Sequence, residues 1–237
     1  MTLRRASLAL STLLLLGAVA ACGQTPEKKP AAAPSTGAPS PSAVKLTDPE
    51  MFAMATKALL PEDALAEISF PGPSKPASVE MTQALLANCH PGLSSENLIT
   101  GRATRIWPLT KGQWAMSSAF GFQETTAAQV IDEIRRTIPE KCRDWKATTP
   151  NVDRSSDYSS DVVLPELPGI SASYGYCETL TFLPSRDQKS ACVVFIGRKA
   201  AGMDMVASFH FSVENEAIAK AAVAQIAPKV AERLLKV

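Results

Sequence analysis

Five cysteines divide this 237-residue chain into one isolated position and one cross-linkable set. Cys22 stands alone near the N-terminus, while Cys89, Cys142, Cys177 and Cys192 follow in the remainder. An even set of cysteines in an exported domain forms disulfides, and no Cys-x-x-Cys spacing marks a thioredoxin-like pair. Three pairings are possible, of which Cys89–Cys142 with Cys177–Cys192 is favoured. The second bridge closes a short loop between two β-rich runs, Ser171–Leu183 and Ser190–Arg198. If those runs pair as a hairpin, the two cysteines come to facing positions. The thiols are too scattered for a zinc site, and no metal is expected.

Export is indicated by the first 21 residues. Arg4 and Arg5 supply a positive start, Leu8 to Leu16 a short apolar run, and Val19-Ala20-Ala21 small residues ahead of Cys22. The apolar run is too short to span a bilayer with margin. Val19-Ala20-Ala21-Cys22 has the order of a bacterial lipobox: an aliphatic residue, two small ones and the cysteine that is cut and acylated. Residues 1–21 are therefore predicted to be a lipoprotein signal peptide and Cys22 the lipidated residue. This places the protein on the extracytoplasmic face of the cell membrane, held there by the lipid on Cys22. Two or more acyl chains anchor firmly where one does not.

Residues 22–45 are almost entirely Pro, Ala, Ser, Thr, Gly, Glu and Lys until Val44. Such a segment cannot bury enough apolar surface to offset its ordering entropy, so a disordered linker is expected. Loss of Arg4 and Arg5 with the leader takes the basic count from 24 to 22 against 23 acidic residues, a mature formal charge of −1. A balance so close to neutral offers no field for nucleic acid. Residues 46–237 are long enough for one domain with a proper core.

Within that domain the patterning alternates between helix and strand. Asp48-Pro49 opens a helix through Met51, Ala55 and Leu59 that Pro61 ends, and a second short helix is expected to start there. Thr104–Leu109 and Gln113–Phe122 have strand character, with Thr110-Lys111-Gly112 as the turn between them. Thr126-Ala127-Ala128-Gln129 is a capping box, followed by the helical stripe Val130, Ile131, Ile134 and Ile138, with Pro139 as its stop. Asn151–Asp161 is expected to be a polar loop. Ser171–Leu183, Ser190–Arg198 and Met203–Val213 form a meander with one buried face. In its last run Val206, Ser208, His210 and Ser212 share one side, and Met205, Ala207, Phe209, Phe211 and Val213 the other. A final helix carries Ile218, Ala222, Ile226, Val230 and Leu234, with a kink or break expected at Pro228.

Several of these elements together resemble a known family. They are the lipobox and spacer, Ala58-Leu59-Leu60-Pro61-Glu62-Asp63-Ala64-Leu65, Leu85-Leu86-Ala87-Asn88-Cys89, a helix ending at Cys142, a two-cysteine hairpin and an Ala-rich last helix. In that order they resemble the extracellular sensor domain of the mycobacterial receptor kinase PknH, a family also found as free lipoproteins in actinobacteria. The resemblance spans roughly residues 52–237. It implies an α/β sandwich of the α+β type, with a mainly antiparallel sheet, helices packed on one face, two sequential disulfides and a ligand cleft. One departure is that Ile138-Pro139-Glu140-Lys141 precede Cys142, where such domains often carry a Trp. No kinase motif is present, so only a sensor-like or binding role is implied.

Catalytic patterns are scarce. His90 and His210 are the two histidines, and neither sits in a hydrolase or metalloprotease motif. Asp153, Asp157 and Asp161 lack the glycine and terminal Glu of a calcium loop. No cofactor is expected. The expected function is non-enzymatic binding of a small-molecule or envelope ligand in a cleft, with Trp107, Trp114, Tyr158, Tyr174 and Tyr176 as candidate lining residues, although aromatic strand residues ordinarily fill cores. The alternatives are a structural or assembly factor that grips an envelope protein, and an envelope hydrolase built on a Ser near one of the histidines.

Overall fold

The computed structural model describes residues 46–66, 84–109, 113–149, 152–183 and 185–237. The expected leader, the linker and the Thr110-Lys111-Gly112 turn lie outside the described residues. Seven described strands form one antiparallel sheet: β1 (Ile99–Pro108), β2 (Trp114–Phe122), β3 (Trp145–Thr149), β4 (Val152–Asp161), β5 (Ala172–Leu183), β6 (Asp187–Ala200) and β7 (Met203–Val213). Their spatial order is β1-β2-β7-β6-β5-β4-β3. Helices α1 (Asp48–Ala58), α2 (Ala127–Lys141) and α3 (Glu216–Leu235) complete a mixed α+β domain, with a short 3-10 turn at Ser94–Leu98.

Both disulfides pair as favoured. Cys177 and Cys192 face each other in register across β5 and β6, with Cα atoms 4.0 Å apart. Cys142, which caps α2, reaches Cys89 at a Cα–Cα distance of 5.8 Å. The β6–β7 hairpin turns on Ala201 and Gly202, both at positive φ, as a tight two-residue turn between right-twisted strands requires.

The helices do not share one face. Alternate residues of β6 and β7 point to opposite sides, and the two sides belong to separate cores. Cys192, Val194, Ile196, Ala207, Phe209 and Phe211 pack with α1 and α3. Val193, Phe195 and Val206 pack with Val130, Ile131, Ile134 and Ile138 of α2. The run Ala191-Cys192-Val193-Val194-Phe195-Ile196 is apolar without alternation, so a single covering layer would leave half of it in water. Gly197 permits the second layer. A Cβ there would lie 2.8 Å from Ala127 Cβ and 2.9 Å from Ile131 Cδ1.

Several local expectations are corrected. Residues 152–161 are strand β4, not a loop, and β3 pairs with it at the sheet edge. Residues 62–66 form a turn rather than the start of a helix, and 67–68 lie outside the described residues. Pro139 does not stop α2, which continues to Lys141. Nor does Pro228 break α3, assigned as one helix from Glu216 to Leu235. Each proline forfeits one backbone bond. Around Pro228 the buried side chains Val223, Ile226, Ala227, Val230 and Leu234 hold α3 on the sheet regardless. Ile218, placed in that buried stripe by spacing, is instead 45% exposed. Finally, the meander is buried on both faces, as the two cores require.

Candidate functional site

Antiparallel register aligns side chains into lanes across the face that α2 partly covers. One lane runs Ser118–Ser208–Phe195–Tyr174, the next Met116–His210–Val193–Tyr176, and the third Trp114–Ser212–Ala191–Glu178–Tyr158. The α2 helix lies over Gly197 at one end and places Arg135 over the Tyr174 ring, 5.4 Å from its centroid. Apolar packing dominates beneath the helix. Toward β2 and β7 the floor becomes polar instead.

That polar floor has an unusual property. Ser208, His210 and Ser212, alternate residues of one strand and hence on one face, are at most 2% exposed. The Ser208 Oγ, His210 Nε2 and Ser212 Oγ atoms have no hydrogen-bond partner. Each such atom forgoes water without replacement, which costs about 1–3 kcal/mol. Native domains carry few of these groups, and three in consecutive alternate positions need an explanation. Ser118, beside Ser208, differs in accepting a bond from Thr104 Oγ1 at 3.1 Å.

Aromatic rings flank the row. Trp114 stacks on His210 with centroids 6.2 Å apart, and Phe195 meets the same imidazole edge-on at 5.9 Å. The series continues through Tyr176 to Tyr174 and Tyr158. Burial without a countercharge depresses the His210 imidazole to a pKa of about 3, so it is neutral at physiological pH.

A second polar group closes the other end of the third lane. Glu178, 2% exposed, accepts from Ser156 Oγ and, at 3.4 Å, from Asn88 Nδ2. The half-buried Arg154 guanidinium supplies the countercharge and also donates to the Ala87 carbonyl at 3.0 Å. Burial nevertheless holds the Glu178 carboxyl above the usual carboxylate range, outweighing the hydrogen bonds from Ser156, Asn88 and Tyr176. The folded state therefore keeps this proton where the unfolded chain has released it. Its contribution to stability is complete below pH 4.5 and is lost as pH rises through the folded pKa. We expect Glu178→Gln to flatten that decline, read as melting temperatures at pH 4, 6 and 8. Glu178→Ala, which strands Ser156 and Asn88, should cost about 2–3 kcal/mol at every pH.

The other residues singled out from sequence divide clearly. Trp107 lies on the opposite face, fully buried in the core of α1 and α3, and its indole N–H donates to the Glu62 carbonyl at 3.0 Å. Trp114, Tyr158, Tyr174 and Tyr176 do converge, on the α2 side. Asp161 accepts from Tyr174 Oη at 2.8 Å and Tyr158 Oη at 3.1 Å. Burial, and then these bonds to a carboxylate, push both phenols above their ordinary range. Asp153, Asp157 and Asp161 are spread along β4, roughly 13 Å between neighbours at strand rise. No cluster of three or more metal-ligating side chains occurs among the described residues. His90 is exposed and contacts Trp145 edge-on at 5.6 Å. His210 is bonded to neither adjacent serine, so no nucleophile relay is assembled there.

A separate cleft of about 520 Å³ opens between the start of α1 and β1, lined in part by Phe52, Ile99, Gly101 and Arg102. None of its lining side chains has a buried polar atom lacking a partner. The β7 row is thus the stronger candidate. Sequence alternation had placed Ser208, His210 and Ser212 on one side of a strand, but not their burial or want of partners. No described helix is long and apolar enough to cross a membrane. No known protein family, curated protein or solved structure matches this chain.

Proposed function

We propose that this chain is a lipid-anchored extracytoplasmic lipoprotein whose PknH-sensor-like domain binds a ligand, without chemistry, against the polar floor of β7. The observation that carries the binding role is the row of three buried, unpartnered polar groups beside an aromatic flank. Such a row is costly in an empty domain and becomes favourable when a ligand supplies the missing bonds. Two disulfides accord with an oxidising compartment, and the lipobox at Cys22 accords with anchoring outside the cytoplasm. The bound molecule is expected to be a small envelope component.

The address and the activity have separate tests. Cys22→Ala is expected to move nearly all of the protein from the membrane fraction to the soluble fraction and to abolish metabolic labelling with palmitate. Persistent, labelled membrane association would sink the anchor. For the activity, the delipidated domain, residues 46–237, is incubated with native envelope extract and its captured molecules are identified by mass spectrometry. A small molecule lost in a Ser208→Ala/Ser212→Ala variant supports the reading. Capture of envelope proteins alone would favour an assembly factor.

A further inference from the structure

We propose that Ser208, His210 and Ser212, flanked by Trp114 and Phe195, recognise a neutral polyhydroxyl ligand, a carbohydrate segment of one or two rings. The assignment rests on the ligand-binding reading above and specifies its chemistry.

Spacing comes first. Alternate strand residues are about 6.7 Å apart, so the three groups span about 13 Å along β7. A two-ring sugar presents hydroxyls over a comparable length. The donor and acceptor types also match. A serine hydroxyl donates once and accepts twice, and a neutral imidazole does one of each. The row therefore complements groups that both give and take hydrogen bonds, as sugar hydroxyls do.

Charge complementarity excludes ions. Directly across from the row stand Ser118, Met116 and Trp114 on β2 and Phe195, Val193 and Ala191 on β6, all neutral. A buried ion here would have no counterion, at a cost no hydrogen bond to a hydroxyl recovers. Glu178 lies two strands away from Ser212 and is already engaged by Ser156, Asn88 and Arg154. The neutral state of His210 agrees with the same requirement. The aromatic flank supplies the remaining element, a π surface for the apolar C–H face of a pyranose. Trp114, at the β2 end of the row, is only partly buried.

The chain has two histidines, which gives a direct readout. The full mature lipoprotein, labelled with ¹⁵N at histidine and held in phosphocholine micelles, is titrated with four probes. Methyl glucoside and cellobiose are neutral; glucuronate and glucosamine carry one charge of either sign. The neutral probes should shift the His210 imidazole resonance saturably, at least about tenfold more tightly than the charged ones, with His90 unmoved. Ser208→Ala/Ser212→Ala should weaken this by about tenfold or more, the equivalent of one lost hydrogen bond. Charged probes binding as well or better would overturn the ligand class while leaving a binding site at β7. If no probe of any charge reaches His210, the β7 row is not a ligand site, and the binding reading loses its support with it.

Discussion

Stability falls steeply as pH drops below 4.5 toward 3, and a His210→Leu variant loses most of that dependence. The unfolded chain takes up a proton on this imidazole near pH 6.5, while the folded protein resists until about 3. Between those limits the unfolded state binds more protons, so stability is present above 6.5 and is lost on acidification. The slope reaches about 1.4 kcal/mol per pH unit for a single group. Its cause is burial alone, since the neighbours of His210 in register and in ring contact are Met116, Val193, Trp114 and Phe195. Glu178 works with the opposite sign from pH 4.5 upward, so the two partly cancel there and the steepest loss falls below 4.5. At neutral pH the leucine should also gain about 1 kcal/mol by removing an unpartnered buried nitrogen. Acid-induced unfolding followed by circular dichroism decides the matter. One common midpoint for both proteins would remove His210 as the cause.

Removing the Cys89–Cys142 bridge should cost about 4 kcal/mol, the largest single loss expected from a bond in this domain. On the chain-entropy account the value follows from a separation of 53 residues. Cys142 caps α2 and its carbonyl accepts from Tyr158 of β4 at 2.8 Å, while Cys89 adjoins Asn88, which donates to Glu178. The bridge therefore ties a helix end, a sheet edge and a buried carboxylate together. Cys177–Cys192 is expected to matter less than the roughly 3 kcal/mol of its shorter loop. The β5–β6 ladder already holds those strands in the same register. Denaturant unfolding of Cys89→Ala/Cys142→Ala and Cys177→Ala/Cys192→Ala variants should rank them in that order. Equal losses would show that the ladder does not duplicate the second bridge.

Some elements were legible because their signals are local. Thr126 and Gln129 announce the start of α2, and both reciprocal bonds form, Gln129 N to Thr126 Oγ1 at 3.2 Å and Thr126 N to Gln129 Oε1 at 3.0 Å. Alternation in β7 assigned the side chains from Met205 to Val213 to the correct faces. By contrast, β4 was invisible, because Asp-Arg-Ser-Ser-Asp-Tyr-Ser-Ser has no apolar period. Its strand state comes from ladders to β3 and β5, and one of its serines, Ser156, is buried to satisfy Glu178. The prolines misled for a related reason. Their local cost is readable, but the packing that outweighs it in α3 is not.

The sequence by itself favoured one cysteine pairing of three, and determined which faces the side chains of Met205–Val213 take and that helices and antiparallel strands mix. Those outcomes depend on spacing and alternation, which are written along the chain. Only the tertiary structure decided that the sheet is covered on both faces, with α2 opposite α1 and α3. It alone decided that Ser208, His210 and Ser212 are withdrawn from water without partners. Burial and hydrogen-bond satisfaction depend on what distant segments bring to a face, and no local pattern encodes that.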